Sequence, residues 1–223
     1  MDKKQGLLIV IDGTDGAGKT TQINLLKKYL KEKDIKFEII SFPQYGKNSF
    51  AKKVEDYLKG EFGKLDEADP YVIAKFYAGD RLTAKNLINK WLHQGKLVIA
   101  NRYVSSSKAH LGANLPENKR EKFFKWLNQL EYQKNNLPKE DLTILLIVDP
   151  KVGQRNVMEK HHLDLHENDL NHLNNANKIY LDLSKKEKNW EVINCMNKGK
   201  MKSKEDIQKD IVKILLEKKL PAE

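Results

Sequence analysis

The chain has one cysteine in 223 residues. A lone Cys195 closes no internal disulfide and offers no cysteine cluster for a metal, which fits a reducing, cytoplasmic compartment. It ends a short strand-like run with Val192 and Ile193 and reads as a small core residue rather than a nucleophile. Long apolar runs are missing too. Nothing approaches the roughly 18–20 residues that span a bilayer, and Leu7–Ile11 is too short for a secretory apolar core, so no membrane partner is expected. Neither a repeat nor a low-complexity segment is present. Acidic residues are the scarcer charge, 31 against 41 Lys and Arg, for a formal +10. Such an excess suits polyphosphate substrates and would also suit nucleic acid. However, aromatics do not interleave with a basic stripe. Many of the lysines (Lys198, Lys200, Lys202, Lys204, Lys218, Lys219) are scattered over helices and tail. The reading is a solvated basic surface with no nucleic-acid partner.

One run dominates what is there: Gly13-Thr14-Asp15-Gly16-Ala17-Gly18-Lys19-Thr20, a match to G-x-x-x-x-G-K-[ST]. Glycines let successive N–H groups turn toward one anion. The following helix adds its dipole, Lys19 a point charge for the outer phosphates, and Thr20 a hydroxyl for Mg2+. The context agrees. Leu7–Ile11 has the apolar run of a buried parallel strand, and from Thr21 to Lys31 the residues Ile23, Leu25, Leu26, Tyr29 and Leu30 lie mostly on one helical face. The loop predicts a nucleotide phosphate site at Gly13–Thr20, without naming a reaction.

Strand-like runs recur at 7–11, 37–41, 97–100, 143–148 and 192–195. Helical stretches lie at about 19–33, 50–59, 70–94, 117–133, 169–186 and 204–216. This alternation predicts an α/β fold of P-loop NTPase type: a parallel five-stranded sheet with helices on both faces and a small lid. At this length one domain is expected. Ligands of such sheets bind beyond the carboxyl ends of the strands, which singles out Gly13–Thr20, Phe42–Gly46, Asn101–Tyr103 and Asp149-Pro150. His161 and His162 are adjacent and therefore diverge on regular structure, with no third ligand at a convincing spacing. Asn197-Lys198-Gly199-Lys200 comes near a guanine-recognising N-K-x-D, but its fourth residue is basic, which counts against a GTPase.

In order along nearly the whole chain, the motifs resemble those of thymidylate kinases. Asp12–Gln22 looks like the family's P-loop and flanks, Phe42-Pro43-Gln44-Tyr45-Gly46 like its F-P-x-Y-G, and Phe76–Arg81 like its F-x-A-x-x-R helix. Asn101-Arg102-Tyr103 is similar to its D-R-Y, Leu137–Leu142 to its P-x-P-D-L, and Asp164-Leu165-His166-Glu167 to a D-I-H-E variant of one bacterial branch. The resemblance implies transfer of the γ-phosphoryl group of ATP to dTMP in a single 1–223 domain, with a lid at about 151–168. Lys19 and the loop amides would bind the donor phosphates, and Thr20 would hold Mg2+, with Asn101 acting on the ion through water. Asp15, helped by Tyr45, would accept from the acceptor sugar, Phe42 would line its site, and Tyr77 would stack on the base. Arg81 would hydrogen-bond that base, with Ser107 and His110 also reading it. Arg102 would hold the acceptor phosphate. Arg155, with 160–162, would begin the lid. Lys19, Arg102 and Arg155 are thus the catalytic cations, and a cytoplasmic homodimer is implied. A related kinase of different base preference, or a weakly catalytic nucleotide-binding homologue, is the alternative.

No Ser/His/Asp or Cys/His constellation is present, and none is needed. A phosphate acceptor with a second pKa near 6 is already an anion at neutral pH. The task is positioning and charge neutralisation. Three departures thin the charge available: Asn101 replaces the D-R-Y aspartate, Gln44 stands where many members have Arg, and Gly16 where one subset has Arg. An active but slow enzyme is expected. If Asn101 is a lost Mg2+ anchor, Asn101→Asp lowers the Mg2+ needed for half-maximal rate in a Mg2+ titration of turnover, and an unchanged titration removes the idea.

Overall fold

The computed structural model describes residues 5–65, 67–159 and 163–218. Five parallel strands, β1 (Leu7–Asp12), β2 (Phe37–Ser41), β3 (Leu97–Asn101), β4 (Leu142–Ile147) and β5 (Trp190–Asn194), run in the order β2-β3-β1-β4-β5. Their burial explains both the runs and the layers. Leu8 and Val10 of β1 pack with Val98 and Ala100 of β3 in one core. Ile9 and Ile11 pack with Leu97 and Ile99 in another, on the opposite side of the sheet. Alternate side chains need two apolar faces, so helices cover both.

The helices are α1 (Lys19–Glu32), α2 (Ser49–Leu58), α3 (Pro70–His93), α4 (Val104–Ala113), α5 (Glu117–Asn128), α6 (Pro150–Met158), α7 (Leu170–Lys186) and α8 (Lys204–Glu217). A π-helical turn, Gln129–Lys134, continues α5, and a short hairpin, β6 (Met196–Asn197) with β7 (Lys200–Met201), precedes α8. Residues of α1 and α8 cover the core of Ile9 and Ile11, while α2, α3, α4 and α5 cover that of Leu8 and Val10. No described helix is long and apolar enough to cross a membrane.

Three elements differ from the sequence expectation. Helix α4 has no polar face, because Val104–Gly112 are all buried. Its serines and Lys108 therefore mask a helix from any periodicity argument. Helix α6 was not among the expected helices and lies in the stretch read as lid; Asp149 starts it by accepting from Lys151 and Val152 N–H, with Pro150 in the first turn. The two-residue strands of the hairpin are too short to carry a pattern. The carboxyl ends of β1, β2 and β3 come together above the sheet, and α4 leaves from there.

Candidate active site

At that edge lies a cavity of about 430 Å3, in the range of small-molecule sites. Asp15 and Thr20 from the loop, Phe42 and Tyr45 after β2, Asn101 at the end of β3 and Arg102 just after it all line it. Tyr77 of α3 and Ser107 and His110 of α4 complete that side. The Asp164–Glu167 segment, which sequence reasoning placed in the lid without giving its side chains a role, forms another wall through Asp164, His166 and Glu167.

The loop wraps its own lysine. Lys19 Nζ donates to Gly13 O at 2.9 Å and Thr14 O at 2.8 Å and lies 3.5 Å from Asp15 Oδ1. Burial and then the Arg102 charge pull Lys19 down to about 8, while Asp15 and Asp12 hold it up. Gly16 has a specific reason. Its φ is +73°, and a Cβ there would lie 1.9 Å from Gly153 O of α6. Asn156 of α6 also donates to Gly16 O at 3.0 Å. The loop and α6 meet backbone to backbone, so no arginine fits at position 16.

Arg102 joins the two halves. Its backbone N–H donates to Ile11 O of β1 at 3.1 Å, and its φ of +67° is a left-handed conformation costing on the order of 1–3 kcal/mol in a non-glycine residue. That turn carries the guanidinium back over the loop. Nη2 pairs with Asp15, while Nη1 reaches Gly13 O and Ser106 Oγ at 3.4 Å and His110 Nε2 at 3.3 Å. Burial alone would raise the Asp15 carboxyl. Arg102 and Lys19 beside it outweigh that and hold it well below the usual carboxylate range.

Two expected cations stand elsewhere. Arg81 does not line the cavity: it is 1% exposed, and Nε and Nη2 donate to Glu131, Nη1 to Tyr103 O and Nη2 to Ser107 Oγ. A buried guanidinium needs a buried carboxylate, and Glu131, 50 residues away, holds it behind the cavity wall. It touches the site only by orienting Ser107. Arg155 is exposed on α6. The loop-facing side of that helix carries Gly153 and Asn156; at 3.6 residues per turn, position 155 faces away from 153. Lys160, His161 and His162 lie outside the described residues. Gln44 is also committed, donating through Nε2 to Asp80 and Thr83.

Sequence reasoning missed Asp12, which is fully buried and accepts from Gly13 N, Ser105 Oγ, Ser106 Oγ and Tyr180 OH. Its one available signal was a charged residue ending an apolar strand just before the loop. For Mg2+, the oxygens fit a hard cation: Thr20 and Asn101 share the cavity, and the buried Asn101 Oδ1 has no hydrogen-bond partner among the described residues.

The sequence model of the family described as Thymidylate kinase matches residues 11–211. The chain belongs to the thymidylate kinase family. Thymidylate kinase from Mycobacterium tuberculosis is 34% identical over 150 residues, covering 67% of this chain and 70% of the relative. A probable thymidylate kinase from Pyrobaculum aerophilum is 33% identical, covering 78% and 80%. A solved thymidylate kinase structure from Candida albicans shares the fold with a TM-score of 0.74 at 20% identity, covering 96% of this chain and 93% of that one. The chain is an ATP-dependent kinase that phosphorylates dTMP to dTDP. The comparisons favour neither a different base preference nor a weakly catalytic homologue.

One carboxyl in the wall titrates near neutrality. Burial first, then Glu167 and Asp15, raise Asp164 to about 7. A carboxyl raised on folding favours the folded state below its unfolded pKa of about 4. That contribution is lost as pH rises through about 7. Asp164→Asn keeps an acceptor for His166 and Glu167 N–H, so its melting temperature falls less than the wild type's between pH 5 and pH 8. Parallel curves contradict this account of Asp164.

Proposed function

We propose that this cavity is the acceptor half of a two-phosphate site, with Lys19, Arg102 and the loop dividing the charge. The observation that carries the reading is that loop residues Asp15 and Thr20, the β3-end residue Arg102 and the aromatic Tyr77 line one cavity. The acceptor phosphate lies on Arg102, its 3′-hydroxyl on Asp15 and Tyr45, and its base on Tyr77. Ser107 and His110 close around the base, and Phe42 packs beside it. The donor phosphates lie along the loop amides, and the Lys19 ammonium exchanges the Gly13 and Thr14 carbonyls for phosphate oxygens. On the other side of the loop a second cavity of about 310 Å3, between Asn156 of α6 and Met201–Lys204, suits the donor's base. Thr20 would hold Mg2+, with Asn101 acting on it through water, and the ion would neutralise charge on the donor phosphates.

The transfer asks little covalent work. The acceptor oxygen is already ionised, so Arg102 and Lys19 serve to bring two anions into line and to screen their repulsion. Arg155, exposed on α6, contributes only by movement of that helix over the phosphates, which also keeps water from the donor. Exposed Phe50, Val72, Leu82 and Leu87 on α2 and α3 suit packing against a second copy, consistent with a cytoplasmic homodimer.

ADP release measured with ATP against dTMP, dUMP, UMP, CMP, GMP and AMP tests the reading. dTMP has the highest kcat/KM, and Tyr77→Ala raises KM for dTMP about tenfold or more while leaving KM for ATP little changed, as expected for loss of base stacking. ADP release without an acceptor, or a Tyr77→Ala effect on ATP alone, contradicts it.

A further inference from the structure

Three imidazoles meet beside Arg102: His110 of α4, His166 of the wall segment and His172 of α7. All are buried, with ring nitrogens within 4.8 Å of one another. That spacing invites a metal, but the protons are already committed. Arg102 Nη1 lies 3.3 Å from His110 Nε2, and a guanidinium only donates. His110 Nε2 is therefore the lone-pair nitrogen, and the ring's proton sits on Nδ1. Nδ1 then donates to His172 Nε2 at 3.4 Å, which puts the His172 proton on its own Nδ1, 2.9 Å from Asn114 Oδ1. That bond orients the Asn114 amide, whose Nδ2 donates to the Tyr57 hydroxyl at 3.3 Å. The hydroxyl passes its proton side to His166 Nε2 at 2.9 Å.

One obligate donor thus sets the tautomers of His110 and His172 in a single direction, and the chain runs on through Asn114 to the Tyr57 hydroxyl beside His166. Each of these lone pairs is used inside the chain. The His166 ring is stacked on His110 at 4° and on His172 at 29°, so three lone pairs do not converge on one point. Burial, with the Arg102 charge next to His110, keeps the imidazoles neutral.

We propose that His172 and Asn114 are positioning residues for the acceptor phosphate: they hold His110 as its Nδ1–H tautomer, so that its Nε2 lone pair receives Arg102 and aims the guanidinium into the cavity. Without His172 as acceptor, the His110 proton is free to move to Nε2, where it faces an Arg102 N–H and turns the guanidinium away. This rests on Arg102 holding the acceptor phosphate.

Three measurements test it. Long-range proton–nitrogen correlation spectra of the isotope-labelled wild type at neutral pH report which ring nitrogen is protonated among only six histidines. His110 and His172 appear as Nδ1–H tautomers; an Nε2–H tautomer at His110 overturns the proposal. Steady-state kinetics then compare His172→Leu with His172→Gln, whose amide oxygen replaces the Nε2 lone pair. Leu raises KM for dTMP about tenfold, the scale of one hydrogen bond to a charged group. KM for ATP changes much less, and Gln restores most of the loss. An unchanged KM for dTMP in His172→Leu, with a raised one in Arg102→Lys, overturns the relay. An unchanged KM in both variants overturns the role of Arg102 on which it rests. Stoichiometric zinc uptake by the wild type that is lost in His172→Leu also overturns it, because the lone pairs would then belong to a metal.

Discussion

The buried carboxylate of Asp12 is the interaction on which the site's geometry depends. It ends β1 with no exposure and accepts from the first amide of the loop, two α4 serines and the Tyr180 hydroxyl of α7. A buried charge is tolerable only when its oxygens are satisfied, so the four donors must stay where they are. That requirement fixes the start of the phosphate loop, the departure of α4 and the position of α7 relative to one another. Arg102 Nη1 lies 3.9 Å from the same carboxylate and completes the charge balance from β3. The phosphate loop and the acceptor cation are thereby held in one frame, as a reaction built on positioning demands.

That frame also explains why the cationic complement is small. Gln44 is bound to Asp80 and Thr83, Gly16 is pressed against Gly153, and Arg81 is spent on Glu131. Each absence from the cavity has a packing reason. Among the described residues Arg102 therefore brings the positive charge into the cavity, which Asp15, Asp164 and Glu167 also line, with Lys19 buried in the loop beside Asp15. The histidine chain behind Arg102 matters more in such a site, because the direction of one guanidinium decides how its charge is used.

Much of this was legible in the sequence, for physical reasons. The loop is a local motif whose chemistry dictates its residues, and β1, β3 and β4 announce themselves because strands buried on both faces are nearly apolar throughout, while the edge strands β2 and β5 keep shorter apolar runs beside Glu38 and Glu191. The acceptor residues could be named only through the resemblance; the positions of Phe42 and Tyr45 on the cavity wall follow from a strand end that an apolar run had marked, whereas Tyr77 and Ser107 are brought there by α3 and α4. What was not legible is what depends on partners far apart in the chain. Arg81 and Glu131 are 50 residues apart, His110 and His172 are 62, and Asp12 and Tyr180 are 168. Helix α4 was invisible because a helix buried all round leaves no stripe.

The central claim is that donor and acceptor phosphates share one site divided between the Gly13–Thr20 loop and Arg102. Its most direct test is calorimetric titration with a bisubstrate analogue joining adenosine and thymidine 5′-ends through a polyphosphate. The account predicts one analogue per chain, displaced by ATP and by dTMP alike, with Arg102→Met weakening the analogue and dTMP but not ATP. An analogue that competes with ATP alone, or that binds Arg102→Met as tightly as the wild type, would contradict it.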